Sequence, residues 1–430
     1  MKKLIKLLSA KLFIVLLFLG ATAQTSAEMT ESVKLERQAT EDYKAKDYTK
    51  FLENIRRASK LRPNHPRLLY NLADAYALNN KPEDALKILK RLAAMDLFFD
   101  AGKDDDFNSL FDSPEFKAIQ NEFAENQKAV NKSQKAFSIP EKDLITEGIA
   151  YDAKTKRFFV SSIHKRKIVA IDKRGKVSDF SFEADGLWSV SGMRVDEKRN
   201  ILWATTTAFP QMKDFQKADD GKSAVFKYDL KTGKLLNKFQ LSNETDKHAL
   251  GDLTLAKNGD VYASDSVSPN IYRIDVRTNK MEIFLSSDNF SSLQGLAFSA
   301  DEKYLFAADY SKGVFRIEMK NKKILQIAPD ENTNPIAIDG LYFKNGNLIA
   351  IQNGFRPHRV ARFVLNKDFT AITRSETLEA NHADFNEPTL GTFVGDDFYY
   401  IANSQWNLTN EDGTLTKDKL KEPVILRLKL

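Results

Sequence analysis

The stretch "IDGLYFKNGNLIAIQNG", residues 338–354, decides the fold. It reads as an acid and a glycine, an alternating run, a tight turn, a second alternating run and an amide. Apolar and polar residues alternating on both sides of a Gly/Asn turn are the pattern of two antiparallel strands. The phrase recurs as "TEGIAYDAKTKRFFVSSI" (146–163), "LGDLTLAKNGDVYASDS" (250–266) and "LQGLAFSADEKYLFAADY" (293–310). Six times a strand opens in this way, at Gly148, Gly192, Asp252, Gly295, Gly340 and Leu390, at intervals of 44, 60, 43, 45 and 50 residues. A period of about 40–50 residues is that of one four-stranded propeller blade. Residues 135–430 are therefore expected to form a six-bladed β-propeller. The last unit supplies only three strands, "TLGTFV", "DFYYIAN" and "VILRLKL", while "KAFSI" (135–139) is a strand without a unit. Pairing the two chain ends of this region would close the ring and leave no open edge.

Upstream the grammar is helical. Residues 29–133 place apolar side chains at three- and four-residue spacings with almost no glycine. Ala39 recurs as Ala73 and Ala58 as Leu92, a period of 34. Small residues at Ala73 and Ala85 allow close helix contact, with Tyr76, Leu86 and Leu89 filling the groove. This segment resembles tetratricopeptide repeats, although Leu69 stands where an aromatic is usual. The resemblance implies a surface for a protein partner. Two repeats are clear, and "SPEFKAIQNEFAENQKAV" is expected to cap them. The fold class is thus α + β multidomain, helical repeats followed by a propeller.

The first residues combine a basic stretch, the apolar run Leu12–Leu19 and Ala21-Thr22-Ala23, a signal peptide pattern over 1–23 with Ala27 as a later cleavage alternative. The run is short for a membrane anchor. Export to the periplasm or beyond is expected, with no integral membrane segment after cleavage. The formal charge of +6 falls to +2 once the four lysines of this leader are set aside, which argues against a nucleic-acid partner. Cysteine is absent, so disulfides and thiolate chemistry are excluded.

The first strand of each unit is innermost and the second returns beside it. The start of one and the end of the other therefore share one mouth of the ring. Glu147, Asp252, Gln294 and Asp339 should converge there, as should Asn353. Two long insertions, 209–221 and 404–423, follow second strands and belong to the same mouth. A single Asp-Gly or Glu-Gly is an ordinary turn pair. Recurrence at one register points to a site, and clustered carboxylates suit a hard divalent cation, Ca²⁺ before Zn²⁺ or another metal.

At these residues the chain resembles the senescence-marker-protein/gluconolactonase family, six-bladed propellers related in fold to paraoxonases. The resemblance spans roughly 138–430. It implies one axial divalent ion, usually calcium, and hydrolysis of lactones or related esters. The family's metal-binding glutamate before glycine corresponds to Glu147, and its aspartate before glycine, ligand and general base, to Asp339. Its asparagine-glycine is Gln294-Gly295 here, and its asparagine-aspartate is Gly251-Asp252. On this reading Glu147, Asp252, Gln294 and Asp339 hold metal. Asp339 is the catalytic base, His248 a candidate proton shuttle, and Asn353 and Asn403 orient substrate.

Arg356, His358 and Arg359 in "GFRPHRV" either meet an anionic substrate or decorate a solvated loop, and Trp406 either stacks on a ligand or packs under its loop. No G-x-S-x-G elbow or H-E-x-x-H helix occurs. Two functions stay open: a metal-dependent lactone or ester hydrolase docked through its repeats, and a non-catalytic propeller and repeat scaffold of the cell envelope.

Overall fold

A computed structural model describes residues 26–242, 246–410 and 412–430. The signal peptide expected over 1–23 lies outside the described residues, and Ala27 falls in the first helix. Five helices come first: α1 (Ser26–Lys44), α2 (Tyr48–Leu61), α3 (Pro66–Leu78), α4 (Pro82–Ala94) and α5 (Pro114–Asn126). Their starts follow from local chemistry. Proline opens α3, α4 and α5, where its missing N–H costs nothing. Asp47 and Ser113 accept the Lys50 and Phe116 amides at 3.1 and 3.3 Å. Ala39, Ala58, Ala73 and Leu92, the positions of the 34-residue period, are buried between the helices, as is Ala85. Among the described residues no helix is long and apolar enough to cross a membrane.

Six four-stranded antiparallel sheets follow. The innermost strands are Ile149–Asp152, Ser189–Asp196, Leu250–Leu255, Leu293–Phe298, Ile338–Lys344 and Gly391–Val394. The chain ends of the propeller do pair. Gln134–Ser138 runs antiparallel to Val424–Lys429, with Phe137 opposite Ile425, so the sixth blade is built from both. This closes the ring without an exposed inner edge.

The opening phrase has a structural cause. Register shifts between Val190 and Met193, Leu250 and Leu253, Leu293 and Leu296, and Ile338 and Leu341 mark a β-bulge at four of the six phrases. A bulge adds one residue and re-aims its neighbours. Glycine is needed because innermost strands of adjacent blades nearly touch. A Cβ on Gly148 would land on the Ser191 carbonyl oxygen, and one on Gly295 on the Leu341 amide. Hydroxyls of the second strands stitch these crowded backbones: Thr205 Oγ1 donates to the Gly251 carbonyl at 2.6 Å and Ser264 Oγ to that of Gln294 at 2.6 Å.

The helices dock on the fifth blade. Arg359, 1 % exposed, donates to Gln352 Oε1 at 2.7 Å and to the carbonyls of Met95 and Asp96 at 3.1 and 3.3 Å. The Phe98 amide meets the Arg356 carbonyl at 2.9 Å, and Val130 bridges Ala380. The "GFRPHRV" segment is thus neither a bare solvated loop nor wholly a substrate clamp, because Arg359 is committed to the domain junction.

Candidate active site at the propeller axis

The openings of four inner strands bring Glu147, Asp252, Gln294 and Asp339 to one axial cavity of about 360 Å³. Asn353 and Trp406 line it as well, and the two long insertions meet over it. Phe209 and Trp406, one from each, lie edge to face at 6.1 Å. Glu387 and Tyr310 complete the polar wall. Sequence reasoning missed both. Glu387 precedes the sixth opening by three residues, at a left-handed backbone position (φ 65°), and Tyr310 follows the strand-ending Asp309.

Four carboxylates thus face one small space. Burial, then the nearby Asp339, hold the Glu147 carboxyl well above its usual range, against the indole N–H of Trp406 that donates to Glu147 Oε2 at 2.7 Å. Burial pushes Asp339 up to about 7, with Glu387 and Asp252 adding to it and the Asn353 amide opposing. Asn353 is held in one orientation: Tyr310 OH donates to its Oδ1 at 3.0 Å, and its Nδ2 donates to Asp339 Oδ2 at 2.9 Å and to the Pro388 carbonyl at 3.0 Å. Two neighbouring carboxyls, both raised by burial, are an arrangement that supports proton transfer.

Asp252 behaves differently from the sequence expectation. Arg194 donates to its Oδ2 at 2.9 Å and the Leu253 amide to its Oδ1 at 2.8 Å. Arg194 also lines a depression of about 490 Å³ on the opposite face, so this ion pair floors the cavity. Asp252 is therefore withdrawn from the ligand set by its own counter-ion. Among the described residues no three acidic or histidine side chains are gathered closely enough to grip one ion. The donors that remain, Glu147, Asp339 and Glu387 with the amides of Gln294 and Asn353, are all hard oxygens with excess negative charge, chemistry that fits a divalent cation.

His248 and Asn403 are not among the cavity's lining residues. His248 Nδ1 lies 2.8 Å from Asp265 Oδ2 and Nε2 3.1 Å from the Ser242 carbonyl. Asn403 accepts from the Val424 amide at 2.6 Å and donates to the Glu422 carbonyl at 3.0 Å, which positions the last strand. Both ends of each side chain are occupied by structural partners. The strand-ending Asp265 and Asp309 likewise turn inward to loop amides rather than to the axis, Asp265 to Ala249 and Asp309 to Ser291 and Ser292.

Trp406→Phe preserves the ring against Phe209 and removes the N–H from Glu147. The expected cost is about 1–2 kcal/mol, the loss of one hydrogen bond to a buried acid, read by urea denaturation. An unchanged midpoint would show that this bond carries no stability.

Residues 43–98 match the family described as tetratricopeptide repeat. No curated protein matches the chain. Among solved structures the chain is similar to a gluconolactonase from Xanthomonas campestris at 13 % identity, with a TM-score of 0.48 over 70 % of this chain and 91 % of that one. A luciferin-regenerating enzyme is similar at 14 % identity and TM-score 0.49, over 70 % and 96 %. The calcium-binding protein regucalcin from Agrobacterium tumefaciens is similar at 13 % and 0.48, over 66 % and 90 %. The class that the chain's own sheets and helices define is a six-bladed β-propeller preceded by tetratricopeptide repeats. Its chemistry has to be argued from its own cavity.

Proposed function

We propose that this chain is an exported hydrolase of lactones or related small esters, working at the axial cavity with a divalent cation, Ca²⁺ by donor chemistry. The observation that carries the reading is the crowding of Glu147, Asp339 and Glu387 in one cavity whose nearest cation, Arg194, is already paired with Asp252. Glu147 and Asp339 would hold the ion, with Gln294 as a neutral donor. When bound, it would polarise an ester carbonyl. Asp339, fixed by the Tyr310–Asn353 relay, takes a proton from the attacking water, and Glu387 and Trp406 border the substrate. The helical repeats would serve a protein partner.

The test is turnover on a panel of aliphatic lactones with added Ca²⁺. Asp339→Asn should lower turnover by about 10²–10⁴-fold, the ordinary contribution of a general base, while the folded signal is kept. Undiminished turnover in that variant would remove Asp339 from the chemistry. The withdrawal of Asp252 favours a second reading, a non-catalytic binding propeller, and ion binding without turnover on any lactone would support it.

A further inference from the structure

We propose that the cavity between the helical domain and the propeller is a second ligand site, built for a small apolar carboxylate of the arylalkanoate kind. The cavity encloses about 430 Å³, the scale of a small-molecule pocket. Phe98 and Phe99, just after α4, face Ile336 and Phe355 of the fifth blade's loops across it. Tyr310 separates it from the axial cavity and lines both.

Its aromatic walls are held in place before any ligand arrives. Phe99 stacks on Tyr70 at 4.5 Å and meets Phe123 edge-on at 6.0 Å. Phe355 lies under the buried Arg359 guanidinium at 5.7 Å. A preformed apolar slot avoids the ordering cost that weakens binding to flexible surfaces.

Charge selects an anion. The ionised groups on the lining are the guanidiniums of Arg67 and Arg356, and no carboxylate lines the cavity among the described residues. The acid nearest in contact terms, Glu36, lies 3.3 Å from Arg67 but is also held by Arg62 at 2.5 Å. Two guanidiniums thus share one carboxylate, and cationic excess remains at the rim. His65 adds no charge of its own at neutral pH, since burial, with Arg62 adding to it, lowers its pKa to about 4. A guanidinium at the mouth of an aromatic slot matches a carboxylate on an apolar stem.

This site does not depend on the hydrolase reading. Calorimetric titration of the full chain with 4-phenylbutyrate and with 4-phenyl-1-butanol, equal in stem and unequal in charge, tests it. The acid should bind about tenfold or more tightly than the alcohol. Arg356→Ala, at an exposed position, should weaken the acid about fivefold or more and leave the alcohol unaffected. Asp339→Asn should leave acid binding as it was. No heat from the acid at millimolar concentration, equal binding of the alcohol, or indifference to Arg356→Ala would overturn the proposal. So would loss of binding in Asp339→Asn, which would place the probe in the axial cavity instead.

Discussion

Arg359→Ala is expected to destabilise the chain by about 3–5 kcal/mol, the range for removing one partner of a buried charged network. The guanidinium is 1 % exposed and satisfies Gln352 Oε1 and two carbonyls at the end of α4, with Asp96 Oδ2 at 3.8 Å as its nearest carboxylate. Truncation leaves those acceptors buried without a donor, each at a cost of about 1–3 kcal/mol unless water enters. It also takes the cation from the face of Phe355. Arg359→Met keeps the apolar stem and loses only the polar contacts, so the difference between the two variants separates packing from hydrogen bonding. Urea denaturation followed by circular dichroism measures both. A loss under about 1 kcal/mol in the alanine variant would mean that the docking does not depend on this residue.

Asp74→Asn is expected to act in the opposite direction. Asp74 is 7 % exposed in α3, and its Oδ1 has no hydrogen-bond partner. Burial, then Asp104 and Asp106, raise its pKa to about 9 from an ordinary 3.8. Between about pH 4 and pH 9 the folded chain therefore keeps a proton that the unfolded chain has released. Stability falls as pH rises through that window and levels off above it. Below about pH 4 both states are protonated and the group costs nothing. Asparagine supplies an N–H donor facing the same acids with no ionisation cost. At about 1.4 kcal/mol per unit, discounted for relaxation around a buried site, the gain at pH 7 is about 2–4 kcal/mol. The advantage over wild type should grow from pH 5 to pH 8 in thermal melts. A variant that melts lower at pH 8, or an advantage constant with pH, would contradict this account.

The legible part of the molecule is the part written in periodic form. Alternation and a repeated opening phrase specify inner strands, and six repeats of that phrase specify a ring. The orphan strand near Phe137 could be assigned because the last unit was one strand short. The glycines were readable as recurrent, but their reason lies between blades, where Gly148 meets Ser191 and Gly295 meets Leu341. Such a contact has no local signature. The same limit governs the cavity. Glu147 and Asp339 each stand in the phrase, while Glu387 lines the same cavity from a loop outside it. Asp252 also stands in the phrase, but nothing in the chain near it announces Arg194, 58 residues away, as its counter-ion. His248 and Asn403 lie close in sequence to strand ends. Their bonds, to Asp265 and to Val424, show that a strand end has its own polar groups to satisfy first. Arg359 was legible as a cation but not as an interface residue, since the carbonyls it binds lie some 260 positions earlier.

On the proposed function, Glu147 and Asp339, distant in the chain, act as one cation-holding pair at the propeller axis. Calorimetric titration of Ca²⁺ into the full chain, beside Glu147→Gln and Asp339→Asn, tests this most directly. One site in the wild type, lost or weakened at least about tenfold in each variant, is the expected result. No binding in the wild type, or two variants that bind Ca²⁺ as tightly as it does, would contradict it.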